Sequence, residues 1–435
     1  MKRILLAVVV SLFVSNTITV LAQEAPTKFD IDRARDMLGI IKNDVKKNYY
    51  DPNYHGVDIE ARFKAADEKL KQAASISQLW GIIAQALVDL NDSHTFFLAP
   101  SKRARTEYGW QMQMVGDRCL VNAIKPGSDA EQKGLAPGDE ILSIDGRVPT
   151  RKNLWLIQYL YYSLRPQPGM RLQIKKPSGE QKPLDVMARI KDRAQITDLT
   201  GQGIFDYIRE GENEDRLHRH RYLENDDLLI WRMPQFDLEK DKVDDIMDKA
   251  KKRKNLLLDL RGNGGGYEET MLRMIGNLFD HDVNIGELRR RKETKPLIAK
   301  TRGSGGFTGK LVVLVDSRSG SAAELFARVV QLEKRGTVIG DVTGGAVMRA
   351  QAYGHQSGLD VVVFYGVSVT DADIIMSDGK SLEGVGVTPD EMKLPTPNDL
   401  AGKLDPVLSY GASLLGITLT PEKAGSLFPL EWRKI

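Results

Sequence analysis

The chain has 435 residues, 62 basic and 59 acidic, a net charge of +3 and 41% hydrophobic residues. That balance leaves no electrostatic footprint for nucleic acid, and the length allows two or three domains. A single cysteine, Cys119, excludes an intramolecular disulfide framework, so stability must come from buried apolar packing.

The chain opens Met1-Lys2-Arg3, followed by an apolar run from Ile4 to Val14 and small or polar residues ending in Val20-Leu21-Ala22. This pattern predicts a secretory signal peptide over 1–22, cut after Ala22, and hence a periplasmic or secreted protein. The apolar run is too short to span a bilayer and no cysteine lies near the cut, so no permanent membrane anchor is expected.

Residues 23–105 read as a helical region. Apolar residues recur at helical spacing, as in Ala34, Met37, Leu38, Ile41 and Val45, then Leu79, Trp80, Ile83, Ala86, Leu87 and Leu90. The last predicted helix runs into the polar turn Asn91-Asp92-Ser93-His94-Thr95.

The block 106–192 changes to short strand-like runs, such as Tyr108 to Met114 and Leu120 to Ile124, punctuated by Gly127, Gly134, Gly138 and Gly146. Cys119 falls in one such run, and a packed thiol is expected there. The stretch Gly134-Leu135-Ala136-Pro137-Gly138-Asp139-Glu140-Ile141-Leu142-Ser143-Ile144-Asp145-Gly146 resembles a PDZ domain. The resemblance implies a β-rich module whose amides near Gly109 and Trp110 meet a peptide's terminal carboxylate and whose open strand edge accepts a peptide strand. A module that only covers an active site remains the alternative.

Between about 196 and 227 charge and turn residues dominate, with His218 and His220 interleaved by Arg219 and Arg221. A His-x-His pair suits a metal, but no carboxylate or cysteine cluster accompanies it, so a solvated linker or edge strand is expected. Nothing in the sequence implies a metal or an organic cofactor.

From Leu228 onward, nearly continuous apolar runs alternate with helical patterns. Strands are predicted at Leu228 to Trp231, Leu256 to Leu260, Leu311 to Val315, Thr337 to Gly340 and Val361 to Tyr365; helices at Val243 to Ala250, Glu268 to Leu278 and Ala322 to Gln331. Such alternation implies a parallel or mixed sheet covered on both faces, with reactive groups at the carboxyl ends of strands. Two polar motifs sit at such ends. Asp259-Leu260-Arg261-Gly262-Asn263-Gly264-Gly265-Gly266 offers unobstructed backbone N–H groups ahead of a helix. Its spacing fits neither a P-loop nor a dinucleotide fingerprint, so an oxyanion hole is the better use of those groups. Asp316-Ser317-Arg318-Ser319-Gly320-Ser321-Ala322-Ala323-Glu324 has the composition of a nucleophile elbow, and equally that of a plain helix cap.

The order of these motifs, followed by Gly340-Asp341-Val342-Thr343-Gly344-Gly345 and Leu382-Glu383-Gly384-Val385-Gly386-Val387-Thr388-Pro389-Asp390, resembles the tail-specific, or carboxyl-terminal processing, peptidases and their tricorn-like branch. The resemblance implies an α/β core over 193–435 of the Clp peptidase/crotonase-like type, with polypeptides or their C-terminal tails as substrates. It implies Ser321 as nucleophile and the amides of Gly266 and Ala322 as oxyanion donors, with Ser319 a neighbour only.

The better-known branch places a lysine base where this chain has Ala346, and no lysine occurs between Lys334 and Lys380. Histidine, with an unperturbed pKa near 6.5, is the residue suited to the task. The tricorn-like branch implies His94 as base, with Ser93 and Glu383 completing a tetrad. His355 is the reserve. The alternative reading is a degenerate member that binds peptides or small apolar ligands without cleaving them. The sequence fixes no oligomeric state.

Overall fold

A computed structural model describes residues 25–100, 104–192, 219–358 and 362–432. The signal-peptide expectation over 1–22, His218 and most of the 196–227 segment lie outside these residues. Among the described residues no helix is long and apolar enough to cross a membrane.

Three helices come first: α1 (Lys28–Asn48), α2 (Ile59–Leu70) and α3 (Ile76–Val88). Each has a side-chain N-cap, from Thr27, Asp58 and Ser75 respectively, which satisfies amides that a helix start leaves unpaired. Their apolar faces form one core with Tyr365, Val367 and Val369. After α3 the chain makes the turn 89–95 and enters the short strand β1 (Phe96–Leu98).

The block that follows is an antiparallel sheet of five strands, β3 (Trp110–Val115), β4 (Arg118–Ile124), β5 (Glu140–Ile144), β6 (Gly169–Lys175) and β7 (Gln181–Met187), ordered β3-β4-β5-β6-β7. A two-stranded ribbon of β2 (Ala104–Glu107) and β8 (Arg189–Asp192) closes its entrance and exit. Two helices accompany it, α4 (Asp129–Gln132) and α5 (Leu154–Gln158), the latter running on as a π-helical stretch, Tyr159–Leu164. Cys119 is buried in this core, and burial pushes its thiol up to about 12, so it is inert as a nucleophile.

The core region builds a six-stranded sheet, β18-β15-β14-β11-β10-β9. Strands β10 (Leu228–Arg232), β11 (Asn255–Asp259), β14 (Lys310–Val315), β15 (Thr337–Gly340) and β18 (Glu391–Met392) are parallel; β9 (Arg221–Glu224) is antiparallel at the edge. Their near-continuous apolar character follows from burial on both faces. Leu229, Trp231, Leu256, Leu258, Val313 and Val315 face the three helices α6 (Lys240–Lys251), α7 (Glu268–Gly276) and α8 (Ala322–Leu332). The alternate residues Leu228, Ile230, Leu257, Val312 and Leu314 face a C-terminal layer that includes Val407, Leu408 and Ala412.

The same three helices pack on their other side against a second, antiparallel sheet: β1, β12 (Val283–Arg289), β13 (Thr294–Ala299), β16 (Met348–Ser357) and the long β17 (Val363–Met376). Sequence periodicity predicted only the start of β17, at Val361 to Tyr365. Strand β13 exposes its first three residues, and the buried stretch of β17 mixes Gly366, Ser368 and Thr370 with its apolar residues, so neither carries a continuous apolar signature.

Of the His218/His220 pair, His220 is described and lies just before the edge strand β9. His220 accepts from Trp231 Nε1 at Nδ1 (3.2 Å) and pairs through Nε2 with Asp237 (2.7 Å), and no group of three His, Cys, Asp or Glu with ligand geometry occurs among the described residues.

Candidate active site

Three neighbouring parallel strands deliver loops to one edge of the six-stranded sheet. Strand β11 ends in the loop 260–267, β14 in 316–321 and β15 in 341–347, and the registers Asp259↔Leu314 and Val315↔Gly340 set those ends side by side. The first loop is pinned from below. Arg261 donates to the buried Asp259 and, through both terminal nitrogens, to Asp405 at 2.7 and 2.8 Å. The Arg261 and Arg232 charges overcome the burial penalty on the Asp259 carboxyl and hold it at about 2.

Ser321 occupies the last position before α8, with φ 54° and ψ −121°. That left-handed setting is strained for a residue with a Cβ and costs about 1–3 kcal/mol unless neighbours enforce it. Its neighbours do. Its amide donates to Ala346 O (2.8 Å) and to Glu324 Oε2 (3.0 Å), and the preceding Gly320 amide donates to Asn263 O (2.9 Å). The glycine loop closes in from the other side: Gly265 has φ 104°, and a Cβ there would lie 2.5 Å from Ser321 Cβ, so only glycine permits the approach.

Gly266 and Ala322 carry the two expected oxyanion amides. Gly266 has φ 140°, and a Cβ there would meet Phe236 O at 2.3 Å. Neither amide bonds a carbonyl among the described residues, and Ala322 opens an eleven-residue helix whose positive end adds to its pull on an anion. Ser319 has another task. It is fully buried, donating to Leu260 O (2.8 Å) and accepting from Asp316 N (3.0 Å), so it locks the two loops together.

Glu324 was quoted in the motif without a role, and the structure supplies one. Its carboxylate is fully buried and receives four donors: Ser321 N (3.0 Å), Ala346 N (3.0 Å), Gly345 N (2.7 Å) and Thr343 Oγ1 (2.5 Å). Burial pushes its pKa up to about 7 against the pull of these donors. A Glu three residues after a helix-capping serine is a capping-box signal; its further reach to 343–346 is long-range and invisible in sequence.

The turn 91–95 brings His94 to this edge. Asn91 adopts φ 52°, and β1 ties the turn to β17 through Phe96↔Ser368. Ser93 Oγ lies 2.7 Å from His94 Nδ1 and donates to Glu383 Oε2 (2.9 Å), while Ser93 N donates to Glu383 Oε1 (3.0 Å). Because the one hydroxyl proton goes to Glu383, Ser93 Oγ must accept from Nδ1–H, which leaves Nε2 with a lone pair. Glu383 also accepts from Val347 N (2.7 Å), one residue beyond the Ala346 carbonyl that holds Ser321. Burial lowers the His94 pKa, opposed by the Asp92 charge, and burial raises that of Glu383. The structure thus joins Ser93, His94 and Glu383 directly and links them to Ser321 through 346–347. No hydrogen bond among the described residues joins Ser321 Oγ to Nε2, a contact that often tightens only with substrate bound.

His355, the reserve base, is elsewhere. It pairs across β16 and β17 with Tyr365 and binds Asp44 of α1 through Nε2 (2.6 Å). Five residues of strand separate Tyr365 from Thr370, roughly 16 Å, and Thr370 is the β17 residue that contacts the His94 turn.

Comparison with known proteins now has a site to bear on. Residues 227–392 match the family model described as peptidase family S41. Those residues carry a peptidase S41 domain. The tail-specific protease of Haemophilus influenzae is 24% identical over 302 residues, 65% of this chain but 41% of that protein. The chloroplastic carboxyl-terminal-processing peptidase 1 of Arabidopsis thaliana is 23% identical over 414 residues, 88% of this chain and 78% of that one. Among solved structures, mature CPAF superimposes with a TM-score of 0.64 at 15% identity, covering 86% of this chain and 94% of its own, which supports the α/β fold of this S41 domain with its N-terminal helical region.

Glu324→Gln should be nearly as damaging as Glu324→Ala, because an amide nitrogen would replace one of two oxygens that each receive two donors. Each donor left buried and unpaired costs about 1–3 kcal/mol. Urea denaturation should show both variants destabilised; wild-type stability in Glu324→Gln would contradict the clamp.

Proposed function

We propose that this chain is an exported serine peptidase of the tricorn-like, Ser-His type, with Ser321 as nucleophile and His94 as its base. The observation that carries the reading is the Ser93-His94-Glu383 chain of hydrogen bonds, which leaves Nε2 unprotonated and is tied through Val347 to the segment that holds the strained Ser321 at a helix start. Ser321 Oγ attacks the scissile carbonyl carbon as His94 Nε2 takes its proton. The tetrahedral oxyanion sits on the amides of Gly266 and Ala322. The proton passes to the leaving amine, the C–N bond breaks, and an acyl ester on Ser321 remains. Water, deprotonated by the same nitrogen, then hydrolyses that ester. Glu383 acts through Ser93 Oγ to orient the ring and stabilise its charged form.

The block 106–192 is proposed as a PDZ-like module that recruits polypeptide tails. Its supporting feature is a groove of about 530 Å³ between Tyr108-Gly109-Trp110-Gln111-Met112 and the residues Gln158 and Tyr162. Strand β3 lies at the sheet's edge, and Trp110 buries its side chain, so the backbone is what it offers to a ligand. The module also leans on the site. Ser317 Oγ donates to Met114 O (2.5 Å), and Asp341 accepts from Gly116 N (2.8 Å) and Arg151 Nη2 (2.6 Å).

On this reading a fluorophosphonate probe adds its mass to the mature protein, and Ser321→Ala abolishes both labelling and peptide hydrolysis. His94→Ala should lose about two to four powers of ten in rate. With burial lowering the His94 pKa, kcat/KM should fall with acid through one apparent pKa below the ordinary 6.5. Turnover retained in Ser321→Ala, or a rate unchanged in His94→Ala, would sink the assignment. Lack of labelling in the wild type would favour the degenerate, peptide-binding alternative.

If the module recruits tails, amidating a peptide's C-terminus should weaken binding to the Ser321→Ala protein by roughly 1.5–3 kcal/mol, the worth of a charged hydrogen bond. Equal calorimetric affinity for acid and amide would leave it a cover for the site.

A further inference from the structure

The turn that presents His94 holds a second buried carboxylate, which the proposed mechanism leaves unused. Asp92 is only 4% exposed. Its Oδ1 accepts three hydrogen bonds: from His94 N (2.8 Å), Thr95 N (3.0 Å) and Thr370 Oγ1 (2.7 Å). Those three donors belong to the turn and to β17, so one oxygen fixes the His94 backbone to the antiparallel sheet. Thr95 and Thr370 reinforce the junction: Thr95 Oγ1 accepts from Thr370 N (3.0 Å) and donates to Thr370 Oγ1 (3.2 Å).

The other oxygen, Oδ2, is buried with no hydrogen-bond partner, and so is the hydroxyl of Tyr49 at the end of α1. The Tyr49 phenol is raised far above its ordinary range, first by burial and then by the Asp92 charge, although no hydrogen bond of good geometry joins the two. Burying a carboxylate this deeply is costly. A purely structural anchor for two amides and a hydroxyl needs only a neutral carbonyl, as asparagine would supply. The extra charge therefore calls for a use, and it lies 2.8 Å from the backbone nitrogen of His94, the residue whose imidazole gains a proton in the proposed mechanism.

We infer that Asp92 is a positioning residue for the base: a carboxylate that clamps the His94 backbone and lends the imidazole negative potential without touching the ring. The inference rests on the proposed role of His94. It gives the base two carboxylates with separate duties. Glu383 fixes the ring's tautomer through Ser93, and Asp92 fixes the ring's place and offsets the basicity that burial removes. The other ionisable groups around the turn are Tyr49 and Tyr50 at the end of α1, Asp51 after it, Asp373 on β17 and Glu383 itself. Beyond them lie two cationic residue types: His55, which bonds Leu90 O and the Tyr50 hydroxyl, and Arg291, which donates to Tyr49 O; neither bonds Asp92.

The sign of the effect separates this role from a structural one. A nearby negative charge raises a histidine's pKa, so deleting it lowers the pKa further. Asp92→Asn keeps the size and the Oδ1 acceptor and removes only the charge. The acid limb of kcat/KM should then move to lower pH, with a reduced plateau, in a protein that still folds. Asp92→Ala loses the clamp as well and should cost about a hundredfold in kcat/KM, the scale of a misplaced catalytic group. Thr370→Val removes one neutral donor; it should lower kcat modestly and leave the limb where the wild type has it. An Asp92→Asn limb at the wild-type pH would overturn the inference, and so would a Thr370→Val limb that moved down, since packing rather than charge would then set it. Should Asp92→Asn not fold, Asp92→Ala, which also lacks the charge, must show the downward limb, and a limb at the wild-type pH there would overturn the inference. A wild type with no histidine-range acid limb would instead remove the proposed role of His94, and this inference with it.

Discussion

The buried carboxylate of Glu324 is the point on which the site depends. Ser321 sits in a left-handed backbone setting that a side chain resists, and a buried charge is tolerable only when its lone pairs are filled. The same hydrogen bonds offset both costs. Glu324 receives the Ser321 amide together with the Gly345 and Ala346 amides and the Thr343 hydroxyl. The strain of the serine is thereby fixed by the same bonds that satisfy the acid.

The segment 345–347, where the resemblance would place a lysine, works in this chain through its backbone. Gly345 has φ 69°, which lets consecutive N–H groups point inward as an anion nest. Two of them serve Glu324, the third, on Val347, serves Glu383, and the Ala346 carbonyl takes the Ser321 amide. One stretch of backbone thus registers the Ser321 turn against Glu383, which bonds Ser93 beside His94. No side chain at 346 is required for this, which is why alanine suffices there.

The site is assembled from distant parts of the chain. The parallel sheet supplies the glycine loop and the serine, the helical region supplies the histidine, and the loop after β17 supplies Glu383. Such a site exists only when the layers are packed. Thr370 shows how closely: it bonds Asp92 and Thr95 through its side chain while its carbonyl accepts from Tyr50 N at the end of α1 (3.0 Å). Much of this was legible in the sequence. The parallel strands announced themselves as continuous apolar runs because both faces are buried, and the two strand-end motifs named Ser321, Gly266 and Ala322 as candidates. The absent lysine pointed to Ser93-His94. What stayed hidden was most of the antiparallel sheet, where β13 and β16 are largely unburied and carry charges such as Lys295 and Arg349, and where the buried β17 is interrupted by Gly366, Ser368 and Thr370. The work of Asp92, Glu324 and Thr370 was hidden too, since each acts across contacts that no local spacing encodes.

The central claim is that the strained serine, the two amides and the histidine form one reacting constellation. A crystal structure with a peptide boronic acid tests it most directly, because boron mimics the tetrahedral carbon. The account predicts a bond from boron to Ser321 Oγ, one boronate oxygen about 2.7–3.1 Å from the amides of Gly266 and Ala322, and His94 Nε2 within hydrogen-bond reach of the adduct. Boron bonded to another residue, or an adduct on Ser321 that neither amide nor His94 touches, would contradict it.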